Sequence, residues 1–224
     1  AHSVMSSLYN NKTYRDHLRK RGNKQSIMLG FSDGTKDGGY IRANWSILRA
    51  KEELTKVARE EGIDVVFFDG RGGPPARGGG NTHNFYASLG PNVENREIQI
   101  TIQGQTISAN YGKPVSCSYN LEQLLSAGME SHLYPSSENS LTDKQKSLID
   151  EMADISYNAY KELKNHEQFV PYLEKVTPLK FFGMTNIGSR PVKRSKGGSM
   201  KFEDLRAIPF VGAWAQMKQN IPGF

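Results

Sequence analysis

The chain has 224 residues and a mass of 25.0 kDa, with 37% hydrophobic residues, 10% aromatics and a mean hydropathy of −0.60. That suffices for one large domain or two small ones with a packed core, and no run approaches the ~20 apolar residues of a membrane-spanning helix. Lys and Arg number 29 against 23 Asp and Glu, a net charge of +6 and a pI near 9.3, which leaves nucleic acid, a membrane surface or anionic small substrates as partner classes.

In chain order, residues 4–20 read as one helix of mixed polarity. Residues 27–31 form a short apolar run that reads as a buried strand, opening into a glycine-rich loop over 32–39. Residues 40–61 read as a helix with Ile41, Trp45, Leu48, Leu54, Val57 and Ala58 on its apolar stripe and Gly62 at its C-cap. Residues 63–68 are a second strand, again ending in a glycine-rich segment, and the alternation at 97–102 marks a third. The rest is helical: 119–133, then 142–164, where Thr142 and Gln145 form a capping box and Leu148, Met152, Ile155, Ala159 and Leu163 mark an expected buried face. A basic loop at 188–206 precedes a short apolar helix from about Ala207. Weak strand candidates lie near 105–111 and 179–187.

Strand–loop–helix units over about 25–113, followed by a helical part over about 118–224, predict an α/β fold with a parallel sheet. Three strands are legible, against about five or six in a doubly wound sheet and the eight of a barrel, so the sheet reads as incomplete. In such sheets functional loops gather at the C-terminal strand ends. There stand Asp33 and Lys36 after the first strand, and Arg71 and Arg77 among the glycines after the second. An Asp just past a strand end is suited to Mg²⁺, and a Lys three residues on can meet the same anion. Glycines allow close backbone approach, while arginines offer forked donors to phosphate or carboxylate oxygens. The same glycine–arginine segment admits a second reading, a non-catalytic anion- or RNA-binding module. The basic loop, with Arg190 and Arg206, is punctuated by Gly188, Pro191, Gly197 and Gly198, and so reads as an anion-binding loop and not a helix face.

The five histidines show no i, i+4 metal pair, and no nucleophile elbow, P-loop or dinucleotide fingerprint is present. One cysteine, Cys117, excludes a disulfide framework and reads as a small buried or half-buried thiol in a reducing setting. Residues 1–12 lack the basic-then-apolar pattern of a signal peptide.

Taken together, IMLGFSDGTKDGG (27–39), FFDGRGGPPARGGG (67–80), ITIQGQTISANYG (100–112), GSRPVKR (188–194) and LRAIPF (205–210) resemble the phosphoenolpyruvate carboxylase family. The order and spacing hold from about residue 5 to the last residue, matching the second half of the family's chain. The catalytic histidine motif of the first half has no counterpart, and a glutamate metal ligand of the family is expected just before residue 1.

The resemblance implies a single partial catalytic domain over 1–224, the C-terminal part of a helix-rich TIM-like (β/α) barrel. It implies a cytoplasmic, anaplerotic lyase that carboxylates phosphoenolpyruvate with bicarbonate to oxaloacetate and phosphate, through carboxyphosphate and an enolate stabilised by Mg²⁺ or Mn²⁺. The isolated chain is expected to be inactive. By motif, Asp33 becomes the metal ligand, Lys36, Arg77 and Arg190 act on the reacting groups, and Arg71 and Arg206 hold the substrate phosphate. No nucleic-acid or membrane partner is implied, and the full-length enzyme is expected to be a homo-oligomer, commonly a tetramer.

Three positions and one stretch depart from the family's usual pattern. Asp69 stands where a histidine usually precedes Gly-Arg-Gly-Gly, Ala76 precedes Arg77 in place of glycine, Asn110 replaces a frequent lysine, and the stretch from Arg190 to Arg206 is slightly long. An acid beside a phosphate-binding arginine weakens anion binding unless another cation pairs with it.

Overall fold

The computed structural model describes residues 1–70, 81–102, 105–134, 140–182, 200–219 and 221. The chain divides into two compact units, Ala1–Phe31 with Ser46–Lys146, and Ser32–Trp45 with Ser147–Phe224.

The first unit opens with two helices, α1 (His2–Asn10) and α2 (Lys12–Lys20), where the sequence predicts one. Asn11 breaks them: its backbone is extended and its side chain accepts from the Tyr14 amide at 3.1 Å, capping α2. Strand β1 (Lys24–Leu29) begins earlier than predicted, because Lys24, Gln25 and Ser26 join the alternation of a half-exposed edge strand. It is therefore not the buried strand expected. Strand β2 (Asp64–Asp69) is the central strand and largely buried, and β3 (Ile98–Ile100) completes the described sheet. The order is β1-β2-β3, all parallel, with Leu29 opposite Asp69 and Asp69 opposite Ile100.

Helix α4 (Tyr40–Glu60) leads into β2 through Gly62, whose φ of +62° is the left-handed C-cap conformation that glycine adopts without penalty. Leu54, Val57 and Ala58 of α4 pack with Ile63, Val65 and Phe67 and with Met5, Tyr9, Leu18 and Val93 to form the core of this unit. Short α5 (Thr82–Ala87), α6 (Gln105–Tyr111) and α7 (Pro114–Leu133) follow, so the weak strand candidate at 105–111 is a helix.

The second unit begins with a correction. Most of the predicted glycine-rich loop after β1 is a helix, α3 (Phe31–Gly38), ended by Gly39 at φ +80° with its amide bonded to the Thr35 carbonyl. Helix α8 (Asp143–Asn165) begins with the predicted capping box: Gln145 N–H donates to Thr142 Oγ1 at 3.3 Å, and Thr142 N–H donates to Gln145 Oε1 at 2.9 Å. Its predicted buried face is overturned. Leu148 is 58% exposed and Ile155 64%, whereas Ala153 and Tyr160 are the buried positions. Trp45 Nε1 donates to Asp150 Oδ1 at 2.6 Å and Arg42 pairs with Asp154, which turns α8's polar side towards the start of α4.

Beyond α8 come α9 (Phe169–Val176), α10 (Leu179–Phe182), a 3₁₀ turn (Phe202–Asp204) and α11 (Ala207–Gln216). Helix α10 occupies the start of the other weak strand candidate. Phe169, Leu173, Leu179, Leu205, Phe210, Ala213 and Trp214 form this unit's core. The architecture is helix-rich α/β with a small parallel sheet, and no described helix is long and apolar enough to cross a membrane.

Candidate functional site

Arg71, Arg77 and Arg190, and Ala76 with them, lie outside the described residues. Asp33, Lys36 and Arg206 belong to the second unit. Asp33 is exposed in the first turn of α3, where the helix dipole favours a negative charge. Lys36, one turn on, is buried. Its ammonium pairs with Asp37 and lies 4.4 Å from the centroid of the Phe202 ring.

Helix α8 supplies two further partners. Tyr160 donates its hydroxyl to the Lys36 carbonyl at 2.8 Å, and the Lys164 ammonium donates to the Asp37 carbonyl. Lys164 also faces the rings of Tyr160, at 4.8 Å, and Phe202, at 5.0 Å. Burial pulls the Lys164 pKa below its usual value against the opposing pull of Asp37, with Lys36 adding to the depression. Burial and then the Asp37 charge push the Tyr160 hydroxyl up, so it remains a donor. Two ammonium groups thus converge on Phe202, four residues before Arg206.

Arg206 is the N-cap residue of α11, with an extended backbone. Its Nε–H is buried and meets no acceptor among the described residues. A buried donor without a partner carries a desolvation cost of ~1–3 kcal/mol, which an anionic oxygen would relieve. The structure therefore places Lys36 and the turn leading to Arg206 together through Phe202, as loops alone would not.

In the first unit, Asp69 ends β2 and is wholly buried. Lys51 Nζ lies 2.7 Å from its Oδ1, and the Tyr86 hydroxyl donates to its Oδ2 at 2.8 Å. Asp69 does have the second cation that its neighbourhood with Arg71 calls for. Lys51 went unmarked in the sequence although it carried a signal: it stands at helical spacing from Leu48, Leu54 and Thr55, on the buried stripe of α4. Tyr86, Tyr160, Lys164 and Phe202 carried none, since their roles come from tertiary contacts.

No group of three or more His, Cys, Asp or Glu side chains that could hold a metal ion occurs among the described residues. Asp33 is an exposed carboxylate. That fits Mg²⁺ or Mn²⁺ held through one or two carboxylates with water and substrate oxygens, and not a closed protein cage.

The class defined so far is a helix-rich α/β protein with a small parallel sheet and, at a helix start, a buried arginine donor that meets no acceptor among the described residues. Comparison with known proteins goes further. The family profile "Phosphoenolpyruvate carboxylase" matches residues 1–224. Proteins named phosphoenolpyruvate carboxylase from Corynebacterium glutamicum and Mycobacterium leprae are each 39% identical to the chain over 99% of its length, and one from Rhodothermus marinus is 39% identical over 100%. The chain belongs to the phosphoenolpyruvate carboxylase family. It spans 24% of the length of each of these relatives.

Proposed function

We propose that these 224 residues are a single partial catalytic domain of a phosphoenolpyruvate carboxylase, the C-terminal part of its (β/α) barrel. The observation that carries the proposal is the family match over residues 1–224. The buried Arg206 donor, which meets no acceptor among the described residues, supports it from the geometry.

In the proposed reaction a bicarbonate oxygen attacks the phosphorus of phosphoenolpyruvate and the bond from phosphorus to the enol oxygen breaks. The products are carboxyphosphate and the enolate of pyruvate. Carboxyphosphate separates into CO₂ and phosphate, which keeps the bicarbonate proton. The enolate carbon then bonds to CO₂, giving oxaloacetate. Every species except CO₂ is an anion, and a dry cationic pocket favours the steps that form carboxyphosphate and the enolate. Arg206 and Arg71 hold the phosphate, Arg77 and Arg190 close the charge around the intermediates, and Lys36 serves the carboxylating half. Asp33 would hold Mg²⁺ or Mn²⁺, which when bound supplies positive charge beside the anionic intermediates.

The proposal places the enzyme in the cytoplasm, as a homo-oligomer of the tetrameric kind, with no nucleic-acid or membrane partner. The test is bicarbonate-dependent oxaloacetate formation with Mg²⁺ by the enzyme chain that contains these residues. Arg206→Gln is expected to raise KM for phosphoenolpyruvate by about tenfold or more, the worth of a charged hydrogen bond. An unchanged KM removes Arg206 from the substrate site, and absence of the reaction in the unaltered enzyme overturns the proposal.

A further inference from the structure

Lys51 is anomalous for α4. It is a lysine in the middle of a 21-residue helix with a side chain only 2% exposed, and its partner Asp69 is 0% exposed. The ammonium also lies 5.4 Å from the centroid of the Phe67 ring and 5.9 Å from that of Phe31. Burial pushes the Lys51 pKa down and the Asp69 charge opposes that push, while burial and then Asp69 push the Tyr86 hydroxyl up, keeping it a donor.

Such a pair is a weak source of stability. Desolvating both charges cancels much of their attraction, and apolar replacements of the same volume are often no less stable. What the arrangement supplies is placement. Asp69 is the last residue of β2, and Tyr86 sits on α5, the first helix after residues 71–80. Their 2.8 Å hydrogen bond ties together the two described flanks of the glycine–arginine segment, and Lys51 anchors that tie to α4.

Gly70 fits the same picture. Its amide donates to the Leu29 carbonyl at 3.1 Å, and a Cβ there would meet the Leu29 carbonyl oxygen and Met28 Cε at 2.9 Å each. Strand end, helix and neighbouring strand thus hold the point of departure from three sides. The Asp69 charge is answered inside the protein by Lys51, which removes the objection to an acid next to Arg71.

We propose that Lys51, Asp69 and Tyr86 form a positioning triad that ties the end of β2 to α5 and α4, and that substrate binding by the enzyme depends on this tie. The effect on substrate rests on the carboxylase reading above; the tie itself does not. The test uses the enzyme chain that contains these residues. Tyr86→Phe removes one oxygen and keeps the ring. Amide hydrogen exchange over Thr82–Ala87 is expected to quicken about tenfold and KM for phosphoenolpyruvate to rise about fivefold or more, with the melting temperature within about 2 °C.

Lys51→Met is expected to be strongly destabilised, and Lys51→Met with Asp69→Asn to regain stability without regaining the KM. Unchanged exchange in Tyr86→Phe overturns the triad as a tie. Faster exchange with unchanged KM, or a double variant that regains both stability and KM, overturns its action on substrate. If the unaltered enzyme forms no oxaloacetate, the carboxylase reading fails and the exchange measurement still judges the tie.

Discussion

Tyr9 shows how one atom can set a pH limit. Its ring is in the core of the first unit, its hydroxyl is buried, and the oxygen finds no partner among the described residues. Burial, with smaller help from Tyr14, pushes its pKa up to about 12. The unfolded chain loses that proton near the usual value of 10, so between pH 10 and about 12 the folded state binds more protons than the unfolded. Stability from this group is present below pH 10 and is lost as pH rises through that window. Tyr9→Phe is expected to gain ~1 kcal/mol at pH 7, by removing a buried unsatisfied hydroxyl, and to lose less stability than the unaltered chain at alkaline pH. Urea midpoints at about pH 7 and 11 check both, and a lower midpoint at pH 7 would show that the hydroxyl is bonded. Residue identity was legible at Asp69 as a departure from the family's pattern, but its consequence was not. The answering charge is 18 residues away in sequence, and only the approach of α4 to the end of β2 brings Lys51 within 2.7 Å.

At the scale of elements, local chemistry was legible wherever a signal is completed within a few residues. Gly62 ends α4 through its left-handed backbone and Thr142 begins α8 through its hydroxyl. Thr142→Ala is expected to cost about 1 kcal/mol, seen as a lower urea midpoint, because it leaves the Gln145 amide without its acceptor. An unchanged midpoint would mean that solvent caps the helix equally well. Signals that need a third party misled. The apolar stripe of α8 is real, with Leu148, Met152, Ile155 and Leu163 at helical spacing, yet all four are exposed. Periodicity locates such a stripe and cannot name what covers it. Helix α3 was misread for the opposite reason. Gly34 and Gly38 lower its intrinsic propensity, but burial of Phe31 and Lys36 holds the turn in place.

For the molecule as a whole, parallel sheets are stable when both faces and both edges are engaged. Here β1 and β3 are the outer strands of the described sheet, and Met28 on β1 is exposed. In the first unit helix α7 exposes Val115, Tyr119, Leu125, Met129 and Leu133, and in the second α8 exposes its own apolar stripe. Apolar surface on that scale is buried in stable proteins by more chain or by another copy. The relatives have about four times this length, of which the chain spans 24%. Expressed alone, residues 1–224 are therefore expected to self-associate and to form no oxaloacetate, because the family's first-half histidine motif is missing from them. Sedimentation velocity over about a tenfold concentration range is the measurement, made at a salt concentration that screens both the repulsion between chains of net charge +6 and any charge pairing, so that association persisting there identifies apolar burial. A sharp monomer at all concentrations would mean that the stripe and the strand edges are already covered within these residues. The strand count read from the sequence, three where a barrel has eight, would then describe a unit whose edges are protected in solution without further strands.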